Sequence, residues 1–218
     1  MLLKVPLSYV GAMASGLFVG MAVREWARAW ATVRLGDPTP RLWGKLTPAP
    51  RAWFDPFGSA LLPGLVLTLW ALASGFLPPP VAYGKPAALD PTRLRSRRRS
   101  ISLLSLAGPL ADLLLGLAAA GVARVSTDDV RIVATGFAFS CLCLAVFHLV
   151  PLPGLDGARI VALVLPPRAA EVYRNLDQYL PLFVLVVLFI LSGPVWSMVY
   201  AIADAAFRVG AGFPLPFV

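Results

Sequence analysis

The chain has 218 residues, 58% of them hydrophobic and only 14% charged, against about 45–50% apolar and about 25% charged in soluble domains. So short a chain cannot bury that much apolar surface in water, which excludes an ordinary soluble domain and makes lipid the expected solvent. The net charge of +8 is concentrated in Arg34–Arg51, Lys85–Arg99 and Arg159–Arg174; between long apolar segments such clusters mark cytoplasmic loops facing anionic lipid, not a nucleic-acid surface.

A helix needs about 20 apolar residues to cross the hydrocarbon core. Val5–Val23 meets this and continues through Trp30. It lacks a small-residue cleavage site and reads as a first span, not a removed signal peptide. Phe57–Gly84 is apolar but interrupted by Pro63, Gly64, Gly75 and Pro78–Pro80. Ile101–Val122 carries only Asp112, Ile132–Leu155 has no formal charge, and Tyr179–Ala203 is the last span. The stretch Pro78–Ser100 is too basic and proline-rich for a packed helix and reads as a linker.

All three basic loops belong on the cytoplasmic side. A full crossing by Phe57–Gly84 would put the first two on opposite faces, whereas a re-entrant hairpin satisfies both. The predicted fold is therefore an all-α polytopic membrane protein, a helical bundle of about four transmembrane helices plus one re-entrant segment. Its N-terminus lies outside, and residues 1–218 form a single membrane domain. Five full crossings is the alternative. Cys141 and Cys143 point about 200° apart on a helix and read as packing residues, not a disulfide. Trp26, Trp30, Trp43, Trp53 and Trp196 read as packing or interfacial residues, and Gly108 and Gly116 as sites of close helix approach.

Charge inside lipid costs at least about 2.5–3.5 kcal/mol per Arg or Asp near a helix centre, so Arg24, Glu25, Arg28, Asp112 and Asp156 are the informative residues. Arg24 and Arg28 share one helix face, with Glu25 in i,i+3 reach of Arg28. Arg24-Glu25-Trp26-Ala27-Arg28 sits where site-2 proteases, the M50 intramembrane zinc metalloproteases, carry His-Glu-x-x-His. Leu35-Gly36-Asp37-Pro38-Thr39, Gly44-Lys45-Leu46-Thr47, Asp55-Pro56-Phe57-Gly58, Gly84-Lys85-Pro86 and Leu106-Ala107-Gly108-Pro109-Leu110-Ala111-Asp112 resemble the compact bacterial branch of that family, which has Asn where this chain has Asp112. His148-Leu149-Val150-Pro151-Leu152-Pro153-Gly154-Leu155-Asp156-Gly157 resembles its second signature, Asn-x-x-Pro-x-Pro-x-Leu-Asp-Gly. The likeness runs collinearly over about residues 10–185.

In active members, the resemblance implies, two helix-borne histidines and the Asp of Leu-Asp-Gly hold zinc while the Glu activates a water. Glu25 keeps the base position and Asp156 the third ligand position, but Arg24 and Arg28 replace both histidines. A guanidinium is a permanent cation with no available lone pair, so no zinc and no cofactor are expected. A rescued set of Asp156, Glu25 and His148 would require both arginines to swing away. Arg24 and Arg28 instead supply the two positive charges of the missing ion. A cluster of Arg24, Arg28, Glu25, Asp156 and Asp112 is expected to join the first and fourth spans. The alternative has both arginines snorkelling to lipid phosphates.

Three functions follow. The first is a non-catalytic relative that keeps the family's groove, shaped by His148, Pro151, Pro153 and Gly157, and binds a transmembrane helix or a membrane partner without cutting it. The second is an active intramembrane metallopeptidase with an atypical zinc site. The third is a transport or channel role, which the lack of an inverted repeat disfavours. The expected partners are the bilayer and a membrane protein, with no nucleic acid. Richness in Ala, Arg, Leu and Gly suits a GC-rich bacterium and its cytoplasmic membrane.

Overall fold

The structure is a computed structural model that describes residues 6–73, 80–85, 89–90, 92–95, 97–190 and 192–216. Among these, all regular structure is helical: α1 (Leu7–Arg34), α2 (Thr39–Leu42), α3 (Pro50–Trp53), α4 (Leu62–Ala73), α5 (Arg97–Val125), α6 (Asp128–Leu149), α7 (Asp156–Val164), α8 (Pro167–Asn175), α9 (Leu180–Phe189) and α10 (Ser192–Ala211). Three of them, α1, α5 and α6, are long and apolar enough to cross a membrane. At 1.5 Å per residue the 28 residues of α1 span about 42 Å, more than the ~30 Å hydrocarbon core.

The packed centre is α6, clamped between α1 and α5. Phe139, Leu142, Cys143 and Phe147 are fully buried, with Tyr9 of α1 and Trp196, Val199 and Phe207 of α10 against them. Trp196 stacks on Phe147 with ring centroids 5.5 Å apart. Small residues set how closely the helices approach. A Cβ at Gly16 would lie 2.6 Å from the Phe137 carbonyl oxygen, and one at Gly136 would lie 2.7 Å from that of Tyr9. Without a hydrophobic force between helices in lipid, such backbone proximity is a main source of packing energy.

Helix α1 ends in a glycine cap. The Gly36 amide donates to Val33 O and the Asp37 amide to Thr32 O, and Gly36 adopts φ +113, a conformation open to glycine without strain. Asp37 then ties two loops together. Its carboxylate accepts from the Thr39 amide at 2.9 Å and from the Asp90 amide at 2.7 Å, while the Arg95 amide donates to Leu35 O at 3.2 Å. The chain leaving α1 and the chain entering α5 thus lie side by side.

The apolar stretch between them behaves partly as expected. Pro56–Leu61 forms one wide helical turn that runs straight into α4, so Pro63 and Gly64 do not break it; Pro63 falls in the first turn, where its missing N–H is tolerated. The returning chain meets the start: the Tyr83 amide donates to Gly58 O at 3.1 Å, and the Lys85 amide to Trp53 O at 2.6 Å. The interruptions expected at Gly75, Pro78 and Pro79 lie outside the described residues.

Two differences from the sequence reading are local. The expected linker stops short of Ser100, because Arg97–Ser100 is already the first turn of α5. The stretch expected as one last span divides into α9 and α10. Pro194 cannot donate to a preceding turn, and it falls near the start of α10, where no donor is needed.

Candidate functional site

Two-thirds of the way along α1, the face turned toward α5 and α7 carries Arg24 and Arg28, and Arg24 is only 2% exposed. Its Nη1 donates to Asp112 Oδ2 on α5 at 3.3 Å, its Nη2 donates to Asp156 Oδ2 at the start of α7, and its Nε lies 3.6 Å from Glu25 Oε1. Arg28 Nη1 donates to Glu25 Oε1 at 3.1 Å and its Nη2 lies 3.6 Å from Asp156 Oδ1. The five charged residues singled out in the sequence thus meet in one buried cluster. It joins α1 to α5 and α7, not to the fourth span, because Asp156 opens a new helix after α6 has ended.

Gly108 makes room for this arrangement. A Cβ there would lie 3.0 Å from Arg24 Cγ and 3.1 Å from Arg28 Cδ, so the close approach is to the arginine side chains and not to a helix backbone. Gly116 does serve helix packing, with its Cβ position 2.7 Å from Leu142.

Arg159 was missed as a site residue because it sits in a basic run that reads as a surface loop. Its Nη1 lies 3.6 Å from Asp156 Oδ1. The signal was its i,i+3 spacing from Asp156 on α7. With it, three guanidiniums face three carboxylates: Arg24, Arg28 and Arg159 against Glu25, Asp112 and Asp156. Two acceptors, Glu25 Oε2 and Asp112 Oδ1, are buried without a hydrogen-bond partner among the described residues.

His148 is buried at the end of α6. Its Nδ1 lies 2.9 Å from Leu144 O, one turn back, which fixes that nitrogen as a donor. The second motif is held by its own contacts. Tyr173 OH donates to Pro151 O at 2.5 Å, and the Gly154 amide donates to Asp177 Oδ1 at 2.7 Å. Pro153 is buried, and Gly157 packs against the Leu149 and Val150 carbonyls, where a Cβ has no space. A cavity of about 400 Å³ opens beside the cluster, its polar wall formed by Glu25, Arg28, Lys85, His148 and Arg159, with Leu180 of α9 opposite.

Zinc needs about three lone-pair donors converging on one point. Both oxygens of Asp156 instead face guanidinium groups, and among the described residues no group of three His, Cys, Asp or Glu could hold a metal. The residues present do not fit zinc.

Three curated relatives are similar over most of the chain. YwhC of Bacillus subtilis is 28% identical over 219 residues, covering 94% of this chain and 93% of its own length. Rip2 of Mycobacterium tuberculosis is 29% identical over 208 residues, covering 91% of this chain and 76% of its own. Rip2 of Mycolicibacterium smegmatis is 31% identical over 190 residues, covering 84% and 70%. All three are provisionally named zinc metalloproteases. No family profile matches the chain, and no solved structure matches it.

Proposed function

The chain belongs to the site-2 protease family of membrane metalloproteases, and from that premise we propose that it works without catalysis, as a membrane scaffold that binds a transmembrane helix or a partner protein. The observation that carries this reading is the state of Asp156, whose carboxylate is engaged by Arg24 and Arg28. The cluster stands in for the metal: permanent cations on α1 neutralise carboxylates on α5 and α7 and hold the three helices in register. The Pro-x-Pro-x-Leu-Asp-Gly loop and the cavity beside it remain as a binding surface. The proposed setting is one membrane domain in the cytoplasmic membrane of a bacterium, with lipid around α1, α5 and α6.

The test is the zinc content of the detergent-purified protein, measured by elemental mass spectrometry beside an Arg24→His/Arg28→His double variant. The native chain is expected to carry no zinc and the variant close to one per chain. Stoichiometric zinc in the native chain would overturn the proposal. A second reading, a peptidase with an atypical metal site, draws support from the names of the relatives and from Glu25 and His148 lining one cavity. Zinc in the native protein that is lost on His148→Ala would establish it.

A further inference from the structure

At the far end of the bundle a second cavity, of about 260 Å³, lies between the start of α1, the first turns of α6 and the tail after α10. Its walls are Pro6, Tyr9, Ile132, Thr135, Phe213 and Pro214, and among the described residues Arg131 is the one charged side chain in its lining. The space exceeds the ~150 Å³ apolar cavity that admits a benzene-sized hydrocarbon, and it is open on one side.

The outer wall is built, not incidental. Gly212 turns the chain with φ +81, the usual glycine stop after a helix, and its amide donates to Arg208 O at 2.9 Å. Asp204 on α10 accepts from the Leu215 amide at 2.7 Å, and Phe213 meets Phe207 edge-on at 5.4 Å. These contacts fold the tail back and hold Phe213 and Pro214 against α6.

Arg131 is exposed and held in place. Its Nε donates to Ser126 O at 2.9 Å, and its guanidinium carbon sits 5.4 Å from the Phe213 ring centroid. Asp128 and Asp129 lie within one turn of it, yet among the described residues Arg131 makes no ion pair, whereas Arg208 is matched by Asp204 at 2.7 Å. Among the described residues the remaining guanidinium donors have no protein acceptor. An apolar cavity lined by an unpaired cation, at one end of a bundle whose long helices are apolar enough to cross a membrane, matches an anionic amphiphile: hydrocarbon in the cavity, oxyanion on the guanidinium.

We infer that this cavity is a binding site for one anionic phospholipid, with the start of an acyl chain between Ile132 and Phe213 and the phosphate on Arg131. The full-length, delipidated protein in detergent is titrated with phosphatidylglycerol and with phosphatidylcholine of the same chains, and bound lipid is counted by native mass spectrometry. One phosphatidylglycerol is expected to bind about tenfold more tightly than phosphatidylcholine, whose choline cation neutralises the same phosphate and is repelled by the guanidinium. Arg131→Gln is expected to abolish that preference and Arg131→Lys to keep most of it. Equal binding of the two lipids, or an unchanged preference in Arg131→Gln, overturns the inference. A second measurement needs no variant. Phosphatidylglycerol with a photoreactive acyl chain should label Ile132, Thr135 or Phe213, and labelling confined to other helix faces overturns the site.

Discussion

Arg24 touches carboxylates from three helices while almost fully buried, and the cost of leaving any of them alone is high. Removing one partner of a buried pair typically costs about 3–5 kcal/mol. Asp156→Ala removes the carboxylate shared by Arg24, Arg28 and Arg159 and is expected to lower thermal stability by an amount in that range and to reduce abundance in the membrane; near-normal melting would refute the structural role. Asp112 gives a sharper test because it neutralises Arg24 alone. Asp112→Asn is expected to cost about 1–3 kcal/mol in the native chain and little in an Arg24→His background, a coupling that a double-mutant cycle reads directly. Outside the spans, Asp37 is the sensitive residue. Burial pushes its carboxyl up, but hydrogen bonds from the Thr39 hydroxyl and from the Asp90 and Thr39 amides outweigh this and hold it below the usual range. A depressed carboxylate stabilises fully above its unfolded value, about 3.9, and ceases to do so as pH falls through the lower folded value. Hydrogen exchange should therefore find the Asp90 amide equally protected, after correction for intrinsic rate, at pH 7 and pH 5. Protection should fall only below about pH 4.

Among the elements, α1 and α6 meet through glycine in both directions. Gly16→Ala drives a methyl group into the Phe137 carbonyl, and overpacking of that kind typically costs about 1–3 kcal/mol. Gly11, on the same helix, has nothing within 4 Å of its Cβ position. Gly11→Ala is expected to leave stability unchanged or raise it by about 0.4–1 kcal/mol through a less flexible unfolded chain. Thermal melting of the two variants side by side checks both signs. The same elements show what a sequence can reveal. Long apolar runs marked α1, α5 and α6 because membrane helices satisfy their own backbone, although α1 runs on to Arg34, one turn past the Trp30 to which the apolar pattern carried it. The division of the last stretch into α9 and α10 was signalled by Ser192-Gly193-Pro194, a breaker run, but the apolar residues on both sides made one long span the simpler reading. Asp156 was placed with the fourth span because Pro151, Pro153 and Gly154 mark where that helix stops but do not announce that a separate helix, α7, opens at Asp156 itself. Arg159 was hidden by its company: a charge run reads as solvent-facing until a neighbouring carboxylate is known to be buried.

At the scale of the whole molecule, the pairing of Asp37 with Asp90 and of Leu35 with Arg95 ties the exit of α1 to the approach to α5. A chain that leaves and returns at neighbouring points is expected to cross the bilayer an even number of times in between. Single-cysteine variants at Lys45 and Arg93 should both react with a membrane-impermeant maleimide from the cytoplasmic side, and one at Ser126 from the opposite side. The native Cys141 and Cys143 are buried and give little background. Labelling of positions 45 and 93 from opposite faces would favour five full crossings. The sequence carried this topology only through its charge: basic loops assign sides but cannot say which loops touch.

Arg24 precedes Asp112 by 88 residues and Asp156 by 132. At about 5–20 residues per second, a ribosome needs on the order of ten seconds to deliver both partners. Through that interval α1 offers the bilayer two cations that share a single acid, Glu25, and each unmatched charge weighs against insertion by about 2.5–3.5 kcal/mol. The first helix is therefore a poor membrane segment when it emerges and a secure one only after α7 has been made. Ribosome-arrested chains halted before α5 should leave α1 extractable by alkaline carbonate, and chains long enough to expose α7 should not.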